Sequence, residues 1–264
     1  KARSLFKKKF RSSPDDAMIL LELARTDTLD NKITAAKRSL ETLLLKKHSN
    51  ETLEKIHDEL ALVSLYQGRF ADATEHKLEA KRLASDLKVQ GLKLFYVGYF
   101  QVETGRVNEA LKSYQQALAL APDKSDINLD IEHLSGLAMV KSGRLLDAAQ
   151  RLRVIGDAVR DPEYQIQIRR FYHLNGEILL SRNRPKDASV NFLAALEIYN
   201  HPLYRESLAR ARWQDGDIKG AIVELKKLIA LTDARLDIPI HYIKAHYQLG
   251  QLHELLGEVD EAKD

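Results

Sequence analysis

Apolar side chains recur in this chain at a fixed offset from a turn residue. Ile33, Phe70, Val107, Leu145, Ile218 and Val259 each lie two residues after a Gly or Asn, and Pro185 takes that place once. Three residues further on there is always an alanine. The resulting pairs are Asn31/Ala36, Gly68/Ala73, Gly105/Ala110, Gly143/Ala148, Asn183/Ala188, Gly216/Ala221 and Gly257/Ala262. A second small residue stands seven positions before each turn residue: Ala24, Ala61, Gly98, Gly136, Gly176, Ala209 and Gly250. Successive turn residues are 37, 37, 38, 40, 33 and 41 apart. A period of this size predicts stacked helical units rather than one compact core.

The offsets have physical causes. A helix that ends in a tight reversal places its C′ residue at positive φ, where Gly carries no Cβ penalty and Asn is the next most tolerant residue. An alanine in the first turns of the following helix lets two antiparallel helices approach closely. A glycine inside a helix costs about 0.5–1 kcal/mol relative to Ala. The helical Gly98, Gly136, Gly176 and Gly250 therefore need a packing reason, and close contact with the partner helix is the expected one. Pro185 suits a first helical turn, where its missing N–H is not needed.

This cadence predicts first helices of each pair at about 14–27, 51–67, 88–104, 126–142, 162–182, 202–215 and 238–256. Second helices are expected at about 31–47, 70–86, 107–120, 145–159, 185–198 and 218–231. Ser13 reads as an N-cap with Pro14 at N1 and Asp15 and Asp16 near the positive helix end; Asn50 reads as a cap, and Pro162 as the opening of a helix.

Small residue, seven positions, Gly, apolar, Ala: this order resembles the tetratricopeptide repeat (TPR). The stretch GYFQVETGRVNEALKSYQQALALAP, Gly98 to Pro122, is similar to the family consensus almost throughout. Gly176 to Ile198 and Leu249 to Ala262 are also similar to it, and the resemblance covers nearly all of residues 14–264. The basic family repeat is 34 residues, and most repeats here are longer. The large aromatic expected four residues before the small position is present only as Tyr172. The resemblance implies an all-α fold, a right-handed α-solenoid of about six and a half to seven helix-turn-helix repeats. In domain terms this gives a basic extension at 1–12 and a TPR array at 13–264. A weaker resemblance, over Ile229 to Ala262, is to TPR tails of multidomain bacterial regulators that carry a Ser/Thr kinase or a winged-helix domain.

Composition agrees. Apolar residues make up 44% and charged residues 30%, with only 12 Gly and 6 Pro, a mix that suits amphipathic helices with few loops. No apolar run is long enough to span a membrane, and no signal-peptide pattern is present, so a cytoplasmic location is expected. The absence of Cys excludes disulfides, thiolate metal sites and Cys nucleophiles. The first residue is Lys and the last repeat stops early in its second helix, so the chain reads as an excerpt of a longer protein. Residues 1–12 hold six basic side chains and no acid; the whole chain is +3, which leaves −3 on residues 13–264. The basic segment reads as a solvated linker before it reads as a lipid or nucleic-acid contact. The mildly acidic repeat body is a poor partner for nucleic acid.

No phosphate-binding loop, dinucleotide fingerprint, nucleophile elbow or zinc-protease helix is present. Neither a catalytic residue nor a metal site, cofactor or small-molecule substrate is expected. His133 and His173 occupy the same position in neighbouring repeats. Helix spacing predicts about 8–10 Å between them, too far for one metal ion.

The resemblance implies that first helices line a concave groove, with positions 13, 10, 6, 3 and 2 before each turn residue facing it. The partner-binding candidates so placed are Tyr66, Phe95, Tyr99, His133, Lys141, Arg170, His173, Arg210 and Tyr247. The groove looks zoned, aromatic near repeats two and three and of mixed charge from four to six. The Lys and Asn pattern of the chaperone-binding carboxylate clamp is missing. Leu65, Val102, Val140, Leu180 and Trp213 share one position and read as packing. A non-catalytic protein–protein interaction scaffold that takes a peptide or helix is the leading expectation. A regulatory domain of a multidomain signalling protein is the alternative, and an enzyme the third.

Overall fold

The computed structural model describes residues 16–120, 126–231 and 239–258, together with residues 260 and 262. The basic segment 1–12 and the Ser13–Pro14 cap lie outside the described residues. Among the described residues there are thirteen α-helices, one 3-10 helix and no strand. The chain falls into two compact units, residues 1–122 and 123–264.

The first unit holds α1 (Ala17–Leu29), α2 (Ile33–Leu44), α3 (Asn50–Tyr66), α4 (Phe70–Leu83), α5 (Leu87–Glu103) and α6 (Val107–Leu120). The second holds α7 (Asp126–Lys141), α8 (Leu145–Ala158), a 3-10 helix at Pro162–Gln167, α9 (Ile168–Ser181), α10 (Pro185–Ile198), α11 (Pro202–Gln214), α12 (Ile218–Ile229) and α13 (Pro239–Leu256). Each odd-numbered helix up to α11 packs along the even-numbered helix that follows it. First helices of neighbouring pairs also meet: α1 with α3, α7 with α9, α9 with α11 and α11 with α13.

All seven turn residues sit at positive φ: Asn31 at 61°, Asn183 at 59°, and the five glycines between 70° and 86°. Each closes the same pair of hydrogen bonds. Around Gly68, its own N–H donates to the Leu65 carbonyl at 2.9 Å, and the next N–H, of Arg69, donates to Ser64 at 2.8 Å. This is the Schellman arrangement, which satisfies the last helical carbonyls and turns the chain back. Ala36, Ala73, Ala110, Ala148, Ala188 and Ala221 are fully buried, and Ala262 is half-buried.

The helical glycines are sites of close approach. A Cβ on Gly98 would lie 2.5 Å from the Tyr114 ring, and one on Gly176 would lie 2.5 Å from the Phe192 ring. Both aromatics stand nine residues after their turn residue, on the hairpin partner. Gly136 departs from this expectation. Its missing Cβ would meet Leu174 at 2.5 Å, so the glycine makes room for the next first helix, α9, rather than for α8. A Cβ on Gly250 would lie 3.2 Å from the Ala262 carbonyl. At two of the three alanines an aliphatic residue takes the equivalent place: Ala24 and Leu40 share one core cluster, and Ala209 and Leu225 share another, whereas for Ala61 that place is Lys77.

Three expected boundaries move. Ser49 rather than Asn50 caps α3, because its extended backbone (φ −70°, ψ 158°) aims Oγ at the Thr52 N–H, while Asn50 is already helical. Pro162 opens a 3-10 turn capped by Asp161, and the α-helix begins only at Ile168. Asp16 is the N-cap of α1, accepting from the Met18 N–H at 2.9 Å, where it was expected inside the helix.

Candidate functional site: the first-helix face

In the first unit the candidate residues cluster with packed aromatics. Tyr99 is buried, while Tyr66 and Phe95 are half-buried. The Phe95 ring lies edge-on to Tyr96 at 5.4 Å and 6.5 Å from Tyr114. Beside them Lys93, on α5, reaches across to α3, pairing with Glu54 at 3.1 Å and also with Asp58. Lys77 joins Asp58 at 2.8 Å and lies 4.9 Å over the Tyr96 ring. Burial pushes the Lys77 ammonium down in spite of Asp58.

In the second unit the same face is a chain of polar pairs between successive first helices. Arg170 Nε on α9 donates to Asp130 Oδ1 on α7 at 2.7 Å. His133 on α7 bonds His173 on α9, Nε2 to Nδ1, at 2.8 Å. His173 Nε2 lies 2.8 Å from Ser207 Oγ on α11, and Ser207 donates to Glu177 Oε1 on α9 at 2.5 Å. Arg210 on α11 also donates to Glu177. The buried Glu206 on α11 takes Lys244 of α13 at 2.5 Å and His241 as well.

The direction of this chain is fixed at one end. Glu177 as a carboxylate only accepts, so Ser207 donates to it and must accept from His173 Nε2–H. His173 Nδ1 is then the acceptor for His133 Nε2–H. Both imidazoles are thereby held as the neutral Nε2–H tautomer. Burial drives both well below the ordinary imidazole range, with Arg170 adding to the effect at His133 and His133 adding to it at His173. Glu206 goes the other way. Burial alone would raise it, but Lys244 and His241 outweigh burial and hold its carboxyl well below the usual range.

The placement corrects two expectations. His133 and His173 are in direct contact, with ring centroids 5.0 Å apart rather than 8–10 Å. Both rings project towards each other from neighbouring first helices. Tyr99, His133, Arg170 and His173 are 7%, 3%, 6% and 0% exposed, so they do not line an open groove. His133, Arg170 and His173 are buried because they bond across to a neighbouring first helix; Tyr99, six residues before Gly105, is buried within the first unit. Lys141 and Tyr247 are exposed, and Arg210 is 39% exposed at its side chain. Trp213 packs against the Ala209–Leu252 cluster, and Leu65, Val102 and Leu180 are buried.

Ser207, nine residues before Gly216, falls outside the expected face positions; Glu177, Glu206 and Lys244 fall on them, but their pairing was not expected. A signal was present: Asp130 and Arg170 hold one register position in adjacent repeats, 40 residues apart, as the turn residues Gly143 and Asn183 are. Among the described residues no group of three or more His, Asp or Glu could hold a metal ion, and no helix is long and apolar enough to cross a membrane.

The profile of the tetratricopeptide repeat family matches residues 97–124. No curated protein matches the chain in sequence. Several solved structures share its fold. A Rap protein in complex with competence and sporulation factor matches with a TM-score of 0.59 at 13% identity, over 99% of this chain and 88% of the other. The apo form of RapI gives 0.55 at 12% identity, over 97% and 78%. A tetratricopeptide repeat protein from Parabacteroides merdae gives 0.52 at 15%, over 93% and 89%. With the seven repeated turns, these matches show that the chain has the all-α repeat fold of tetratricopeptide repeat proteins, with one repeat, residues 97–124, matched by the family profile itself.

Proposed function

We propose that this protein is a non-catalytic scaffold that takes a peptide or a partner segment on the first-helix face of its second unit. The observation that carries this reading is the pinning of Arg210 and Lys244. Each reaches solvent, at 39% and 31% side-chain exposure, while its charged end is held by a buried carboxylate, Glu177 or Glu206. A face whose charged groups are already fixed loses little side-chain freedom when a partner binds. Tyr247, 69% exposed on α13 with its hydroxyl accepting from Gln251 at 3.0 Å, adds an oriented aromatic to it. The Rap protein's complex with competence and sporulation factor supports the reading, as a fold of this kind holding a bound factor.

The nearest approach to a catalytic set argues for the same conclusion. Ser207 is fully buried, and its proton goes to Glu177 rather than to His173. A serine nucleophile needs its proton aimed at the base and its oxygen open to substrate. Neither condition holds.

Selection of binders from a displayed peptide library against the intact chain tests the proposal. Binders should be enriched and should lose at least tenfold in affinity to the double variant Lys141→Glu/Tyr247→Ala. They should be indifferent to Val190→Asp, an exposed substitution on α10. Binders that ignore the double variant would end this reading of the face.

A further inference from the structure

A cavity of about 480 Å³ opens in the second unit between the end of α8 and the first turn of α9. One wall is a single helical stripe: Arg153, Gly156 and Asp157 of α8, continued by Arg160 in the turn beyond it. These residues are spaced i, i+3, i+4 and i+7, so they share one face. The other wall is Ile168 and Phe171, one turn apart on α9. The volume lies within the range of about 300–1,000 Å³ usual for small-molecule sites.

Gly156 shapes the floor. It has no place in the repeat signature, yet it sits inside a helix where alanine would be preferred. A Cβ there would come within 3.2 Å of the Phe171 ring. The bare backbone thus leaves the ring edge uncovered on the cavity side. The ring itself is braced by Tyr172, edge-on at 6.1 Å.

The charges on the rim do not cancel. Asp157 pairs with Arg160 at 3.3 Å. Arg153 is exposed and has no ion-pair partner among the described residues. The rim therefore carries two guanidiniums, Arg153 and Arg160, against one carboxylate, Asp157, which is taken by Arg160.

We propose that this cavity binds a small organic acid with an apolar body. The body lies against Phe171 and Ile168, and the carboxylate takes the Arg153 guanidinium, whose planar fork suits it. The site is separate from the first-helix face and does not depend on the function proposed for it.

The test titrates the intact chain with 4-phenylbutyrate and with its neutral counterpart 4-phenylbutanol, followed by amide shifts in NMR. The acid should move the Gly156 amide and bind about tenfold more tightly than the alcohol, as expected for one charge-assisted contact. Arg153→Glu should abolish that preference, and circular dichroism should show the fold unchanged, since the exposed Arg153 side chain holds no ion pair among the described residues. Equal binding of acid and alcohol, an unmoved Gly156 amide, or full binding by Arg153→Glu would each overturn the proposal. An acetylated Asp-Phe amide that binds more tightly than the free acid would overturn it in favour of peptide capture.

Discussion

The ring of Phe192 occupies the space that a side chain on Gly176 would need: a Cβ there would lie 2.5 Å from Cε1. The ring is fully buried and cannot swing out to solvent. Gly176→Ala should therefore destabilise the second unit by about 1–3 kcal/mol through overpacking, even though alanine is the better helix former by roughly 0.5–1 kcal/mol. Adding Phe192→Leu should recover part of the loss, because the two residues share one space. Urea unfolding of the single and double variants reads both effects. An unchanged midpoint for Gly176→Ala would show that α9 and α10 are less closely packed than described.

Tyr114 presents a different case at the equivalent place in the first unit. Its ring fills the space beside Gly98, but its hydroxyl is buried with no hydrogen-bond partner. Burial pushes the phenol well above its ordinary range. An unpaired buried hydroxyl costs about 1–3 kcal/mol. Tyr114→Phe should thus be neutral or stabilising by up to about 1 kcal/mol, where loss of a bonded tyrosine hydroxyl would destabilise. A fall in the thermal midpoint would mean that the hydroxyl has a partner after all.

These two aromatics show what the sequence made legible. The turn residues, the alanines and the helical glycines are local or hairpin-level requirements, and each leaves a trace in residue type at a fixed offset. The capping of α3 by Ser49 instead of Asn50 shows the limit of that reading, since two adjacent residues are both good caps and only backbone geometry chooses between them. The first-helix face was harder for another reason. Positions 13 and 10 before the turn can face either a groove or the next helix, and residue type alone does not say which. The Glu177–Arg210 and His133–His173 contacts join residues 33 and 40 apart. They become visible only when same-register residues of adjacent repeats are read as pairs. The division into two compact units at 122/123 has no comparable signature in residue type.

His201 caps α11 through its ring, with Nδ1 accepting from the Leu203 N–H at 3.2 Å. That role requires a neutral imidazole. Burial, with His241 adding to it, pushes its pKa down to about 3. An unfolded histidine takes up its proton near 6.5. Between about pH 6.5 and 3 the unfolded chain therefore binds more protons than the folded one, and stability falls as the pH drops through that window. His133 and His173 act in the same direction. His201→Asn keeps a capping side chain but cannot titrate. Its stability should fall less steeply between pH 6 and pH 4, by about 1.4 kcal/mol per pH unit, the slope due to one proton. Urea midpoints at the two pH values decide the matter, and parallel slopes for variant and parent would remove His201 from the account.

Glu59 in the first unit should show the opposite pH dependence. Its Oε2 is buried with no hydrogen-bond partner, and the nearest cation, Arg25, stands 3.9 Å from Oε1. Burial raises its pKa to about 7, with Arg25 only partly opposing. The folded chain thus keeps a proton on Glu59 between about pH 4.5 and 7 that the unfolded chain releases. Stability is full below that window and is lost as the pH rises through it. Glu59→Gln removes the cost of burying the charge while keeping the side chain's shape. The variant should match the parent at pH 4.5 and exceed it by about 1–2 kcal/mol at pH 8. Denaturant unfolding at both pH values measures the gap. A variant no more stable than the parent at pH 8 would mean that Arg25 neutralises the carboxylate in spite of the distance.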